Sequence, residues 1–146
     1  MNPRVRSVLA TLVLVGVVVV LVQRRALLAH RPLAIALQAA AVALMLWARV
    51  TFGRRSFHAA ANPTAGGLVT HGPYRWWRHP IYAAVLLFLW TGVLATGPTP
   101  LTLLLAAVGT AATTVRILAE ERLLRGTYPA YDAYAARTKR LVPYLF

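Results

Sequence analysis

The chain has 146 residues, 59% of them hydrophobic and only 13% charged, with a formal net charge of +13 and a mean hydropathy of +0.61, which excludes an ordinary soluble domain and makes the membrane its solvent. The basic excess does not point to nucleic acid, because such a binder gathers its charges on one face of a polar chain, whereas here they stand between apolar runs. The absence of cysteine removes disulfides, thiolate metal sites and a cysteine nucleophile.

The first element is the run Ser7 to Gln23, 17 residues without a charge. Arg4 and Arg6 before it resemble the start of a signal peptide. Gln23, Arg24 and Arg25 then follow instead of a small-residue cleavage site, so the run reads as a retained helix. The second run, Pro32 to Ala48, is again 17 residues, and at about 1.5 Å per residue each run nearly crosses a core of roughly 30 Å. Within it Ala36, Ala39, Ala40 and Ala43 offer a surface for a neighbouring helix of this chain or of another copy, which leaves the oligomeric state open. From Pro80 to Val115 there are 36 uncharged residues, roughly 54 Å as one helix, so the chain must fold back, and Thr96-Gly97-Pro98-Thr99-Pro100 supplies the break.

The expectation is an all-α polytopic membrane protein with about four spans, near 7–23, 32–48, 80–95 and 101–116, in one domain over 1–146. Interfacial helices over 117–140 complete it, with Gly126 as a stop and Pro129 opening a helix that carries Tyr128, Tyr131 and Tyr134. With the N-terminus inside, thirteen of the sixteen basic residues fall in inner segments, Arg54 and Arg55 among them, and Arg24, Arg25 and Arg31 fall outside. The positive-inside rule therefore puts both termini in the cytoplasm of a cell or inner membrane.

Two features mark that inner side. One is His71-Gly72-Pro73-Tyr74-Arg75-Trp76-Trp77-Arg78-His79-Pro80-Ile81-Tyr82 at the mouth of the third span. Proline after His79 suits a helix start, and the unpaired amides there, with Arg75 and Arg78, suit an anion. Trp76 and Trp77 read as aromatic belt. The other is the acidic set, Glu120, Glu121 and Asp132, all beyond the last span. Arg116 stands four residues before Glu120, so the two share a helix face, which is also what a simple rim ion pair would show. His30, His58, His71 and His79 form no metal-binding spacing.

The two features together resemble the isoprenylcysteine carboxyl methyltransferase family, a group of membrane methyltransferases that includes phospholipid N-methyltransferase relatives. The likeness covers roughly residues 64 to 146 and rests on GPYRWWRHPIY, then Arg116, Glu120, Glu121 and Leu124, then TYPAYDAY with Arg140 and Pro143. Ala83 and Ala84 stand where the family often has glycine.

The resemblance implies S-adenosylmethionine as cofactor and S-adenosylhomocysteine as product. It implies that Gly66, Gly67, Leu68 and Val69 border the cofactor and that Tyr74, His79, Pro80, Ile81, Tyr82 and Glu120 bind it. It also implies a catalytic Arg116 near the methyl acceptor, with Glu121 beside it on the substrate side. The implied substrate is a lipid or lipophilic small molecule, with carboxyl methylation favoured over methylation of a lipid amine. Two other readings differ in class: a noncatalytic membrane protein that recruits anionic lipid through its arginines, and a relative of the sterol reductases that would use NADPH.

Overall fold

The computed structural model describes residues 2–53 and 67–141. Gly66, Arg54, Arg55, His58 and Pro143, all named above, lie outside them. The described residues form five α-helices: α1 Pro3–Gln23, α2 Pro32–Phe52, α3 Pro80–Ala95, α4 Pro100–Thr127 and α5 Tyr131–Arg137. The described residues hold no strand, only a single backbone bridge between Trp77 and Lys139. α1 to α4 each begin with proline in the first turn, where its missing N–H costs nothing. α4 adds a reciprocal cap in which Thr99 accepts from the Thr102 amide and Thr102 Oγ1 from the Thr99 amide.

The helices run up, down, up and down, with α1 along α4 and α2 along α3. Beside an apolar cluster of Val17, Leu21, Leu89 and Val93, the inside of the bundle is largely small or polar: Ser7, Ala10, Ala34, Gln38, Ala41, Ala48, Thr102, Ala106, Ala112 and Thr113 are buried. The outside is large and apolar, with Leu12, Val15, Val22, Leu33, Leu46 and Leu104 all more than half exposed or close to it. A water-soluble bundle does the reverse. Lipid removes the hydrophobic reason to bury leucine and leaves close backbone approach as the reason to bury alanine. α1, α2 and α4 are long and apolar enough to cross a membrane, while α3 is a shorter apolar helix of 16 residues. Ala36, Ala39, Ala40 and Ala43 face outward, and α2 turns Ala34, Gln38, Ala41 and Ala48 inward.

At the end of the bundle opposite the third-span entrance, one polar side chain ties the elements together. Gln38 Nε2 donates to the Leu27 carbonyl at 2.7 Å and to the Phe88 carbonyl at 3.2 Å, and its Oε1 accepts from the Ala29 amide at 3.0 Å. This ties the α1–α2 loop onto α3, and it works because Gly92 of α3 has no side chain. A Cβ there would lie 2.1 Å from the Leu27 carbonyl oxygen. Gly92→Ala must push the loop off Gln38 and is expected to cost about 1–3 kcal/mol. Thermal denaturation in detergent checks this against Gly16→Ala, whose Cβ would meet nothing within 4 Å and which should leave stability unchanged or slightly higher.

The expected spans fall inside the observed helices, with one difference. α4 is unbroken from Pro100 to Thr127, where a span ending near 116 followed by separate interfacial helices was expected. Arg116, Glu120, Glu121 and Arg122 end the uncharged run without ending the helix, because these side chains do not interrupt the backbone ladder.

Candidate active site

The first layer of the site is the approach to α3. Gly67, Leu68, Val69 and Thr70 lead without regular structure into a short 3-10 turn, Gly72–Arg75. Gly72 has φ +57, and a Cβ on it would sit 2.7 Å from Thr51 Oγ1, so the turn lies against the end of α2. Tyr74 is buried there with its ring 5.5 Å from that of Phe52. Burial, then the neighbouring Tyr134 and Glu120, push its phenol well above the usual range, with Arg49 opposing them. Trp76 is half exposed, its ring 6.1 Å from Trp47 and under the guanidinium of Arg75, the amphipathic position of a membrane-interface aromatic.

The C-terminal tail is stitched onto this approach through the backbone. Lys139 N donates to the Trp76 carbonyl at 3.0 Å, Arg78 N to the Lys139 carbonyl at 2.7 Å, and His79 N to the Arg140 carbonyl at 3.1 Å. Tyr134, whose phenol burial pushes up to about 12 despite Arg78 and Arg137, donates to the Tyr74 carbonyl at 2.8 Å. The anion site expected at the α3 N-terminus is therefore partly used by the protein itself. His79's amide serves the tail, and Arg78 Nη1 donates to the carbonyls of Ala135 and Thr138, each at 2.6 Å.

The two adjacent glutamates separate by helix geometry, since consecutive residues on α4 point about 100° apart. Glu121 points into the tail and is fully buried. Arg78 Nε reaches its Oε1 at 3.2 Å, Arg140 Nη2 its Oε2 at 3.0 Å and Arg125 Nη2 its Oε2 at 3.5 Å. Its expected place on the substrate side does not match this setting, because a carboxylate enclosed by three arginines has no face left for a substrate.

Glu120 points the other way, toward Tyr82 of α3, and its side chain keeps 22% of its exposure. Tyr82 donates its hydroxyl proton to Glu120, and Arg116 Nε donates to the Tyr82 oxygen. Arg116 Nε also lies 3.5 Å from Glu120 Oε1, and its guanidinium carbon lies 5.6 Å from the centre of the Tyr82 ring. His79, at the junction, has Nδ1 3.8 Å from Glu120 and Nε2 3.4 Å from Glu121. That imidazole is 5% exposed, and Nε2 makes no hydrogen bond among the described residues. His79 is thus a buried imidazole held between the closed carboxylate of Glu121 and the part-open one of Glu120.

The structure thus brings His79, Tyr82, Arg116 and Glu120 together, with Tyr74 in their electrostatic neighbourhood. Pro80 is buried as the first residue of α3, Ile81 is half-buried beside it, and Gly67, Leu68 and Val69 remain on the approach. One participant escaped sequence reasoning: Arg116 Nη1 donates to Thr11 Oγ1 of α1. Its signal was a hydroxyl in an otherwise apolar span, the kind of residue that faces a bundle interior.

The geometry offers a part-open carboxylate with a phenol and an imidazole for a cationic ligand, next to a guanidinium for an anionic one. A model of the isoprenylcysteine carboxyl methyltransferase family matches residues 33–126, which span α2, α3 and nearly all of α4. No curated protein and no solved structure matches the chain.

Proposed function

Since this chain belongs to the isoprenylcysteine carboxyl methyltransferase family and is a membrane methyltransferase, we propose that it transfers a methyl group from S-adenosylmethionine to a lipid or lipophilic acceptor, with a carboxylate as the favoured methyl acceptor. The observation that carries this reading is the pairing of the part-open Glu120 with Tyr82 and Arg116, beside the buried imidazole of His79. The donor set fits the cofactor. Glu120 supplies a countercharge for an ammonium or sulfonium, the Tyr82 and Tyr74 rings offer aromatic surface, and the His79 imidazole lies beside that carboxylate. Following the family resemblance, Gly67, Leu68 and Val69 border the cofactor on the approach side, and Pro80 and Ile81 at the start of α3 contribute to its binding.

When bound, S-adenosylmethionine supplies a methyl carbon on a sulfonium, which an acceptor oxygen takes by in-line displacement as the carbon–sulfur bond breaks and S-adenosylhomocysteine leaves. No strong base is needed for a carboxylate that is already ionised, so the chain's task is alignment and exclusion of water. Arg116 holds the acceptor carboxylate, with its guanidinium set by Tyr82 on one side and Thr11 on the other. Glu121 keeps the tail closed over the approach and leaves the binding to Glu120. The basic segments gather at the site end of the bundle, which puts that end and both termini in the cytoplasm.

The test is calorimetric titration of detergent-purified variants with S-adenosylhomocysteine. His79→Ala is expected to weaken binding about tenfold, the loss of one good hydrogen bond to a charged or polar group, and Trp76→Ala to change it by less than about twofold because an exposed belt residue contributes little. Equal affinity in both variants would favour the lipid-recruiting reading.

A further inference from the structure

From the bond between Arg116 and Thr11, we infer that α1, which lies outside the family-matched segment, contributes the acceptor side of the site, with Thr11 as the residue that positions Arg116. This rests on the methyl-transfer reading above.

The geometry leaves the hydroxyl little choice. Thr11 Oγ1 donates its single proton to the Ser7 carbonyl at 2.8 Å, one turn back on α1, an arrangement available to threonine within a helix. Its lone pairs therefore face Arg116 Nη1, which donates to them. Arg116 Nε is held by Tyr82 of α3 at the same time. Fixing a planar guanidinium at two of its nitrogens, from two different helices, sets both its position and its plane, and a long side chain that otherwise samples many rotamers becomes a single platform. Thr11 lies eight residues into α1 and Arg116 eleven residues before the end of α4, so the platform sits roughly 12 to 16 Å inside those helix ends. A carboxylate on a lipophilic chain meets it there with its hydrocarbon still in the bilayer.

Ser7 strengthens the assignment. It is fully exposed to neither lipid nor water, and its Oγ has no hydrogen-bond partner among the described residues. A buried hydroxyl left unsatisfied one turn from Thr11 marks a polar track along the inner face of α1 that the packing of apolar helices does not require.

The experiment is single-turnover methyl transfer from methyl-labelled S-adenosylmethionine to N-acetyl-S-farnesylcysteine, with palmitate and phosphatidylethanolamine vesicles as the other probes. Thr11→Val removes the hydroxyl without changing the shape of a residue that sits at membrane depth, so the fold should survive and S-adenosylhomocysteine affinity should stay within about twofold. The transfer rate with the carboxylate acceptor is expected to fall about tenfold or more, because a loosened guanidinium no longer holds the near-attack geometry. Thr11→Ser should restore it to within about threefold, which a role in apolar packing would not produce. If Arg116→Ala lost turnover while Thr11→Val retained it, the inference would be overturned and the methyl-transfer reading would stand. If wild-type protein transferred no methyl group to any of the three probes, that reading would fall and the inference with it.

Discussion

Replacing Glu121 by glutamine is expected to cost about 3 kcal/mol of stability and to release the C-terminal tail, the largest structural effect of any single change at this end of the bundle. Breaking a buried ion pair by removing one partner costs about 3–5 kcal/mol, because the other partner is left as an uncompensated charge. The lower end applies here for two reasons. The Arg125 and Arg140 side chains keep 43% and 28% of their exposure and can turn to water, while the Arg78 side chain at 11% cannot. Arg78 also keeps its bonds to the carbonyls of Ala135 and Thr138, so part of the latch remains. Thermal denaturation in detergent should show the loss, and limited proteolysis should cut between α4 and α5 in Glu121→Gln well before wild type. Cofactor affinity should fall only as the tail opens, and Glu121→Asp should recover part of both.

Arg116→Ala carries the largest functional effect: a loss of about a hundredfold or more in single-turnover methyl transfer, with S-adenosylhomocysteine affinity within about twofold of wild type. A displacement of the acceptor by about 1 Å suffices for a hundredfold, since transfer depends on the reacting atoms standing in line. Binding survives because Tyr82 still donates to Glu120 after the arginine has gone. Glu120→Gln should show the converse, losing cofactor affinity about tenfold because the countercharge is removed while the shape is kept. A partly exposed rim ion pair would behave differently. Either substitution would then cost on the order of 1 kcal/mol or less, the two would cost about the same, and neither would move binding. The split between the two variants therefore separates an organised site from an incidental pair four residues apart.

Much of this was legible in the chain. Runs without charge placed α1 to α4, because in lipid each span must satisfy its own backbone and so must be a helix. The resemblance named His79, Tyr82, Arg116 and Glu120, which the fold draws into one cluster. The rest depends on contacts between distant positions with no local pattern. Glu120 and Glu121 look alike in sequence, and only the rotation of α4 sends one toward Tyr82 of α3 and the other to the tail. Arg78 read as an anion-binding residue until the tail carbonyls and Glu121 claimed it. Gln38 stands as one polar residue in an apolar run, and Thr11 shares its run only with Ser7 and the terminal Gln23. Their partners, 105 residues away for Thr11 and 50 residues away for the longer-range bond of Gln38, could not be read from that run.

The most direct test of the central claim is calorimetric titration of the wild-type protein in detergent with S-adenosylhomocysteine. Saturable binding is expected at one site per chain, weakened by Glu120→Gln and His79→Ala and unaffected by Arg116→Ala. Absence of saturable heat, or equal binding by the Glu120→Gln protein, would contradict it.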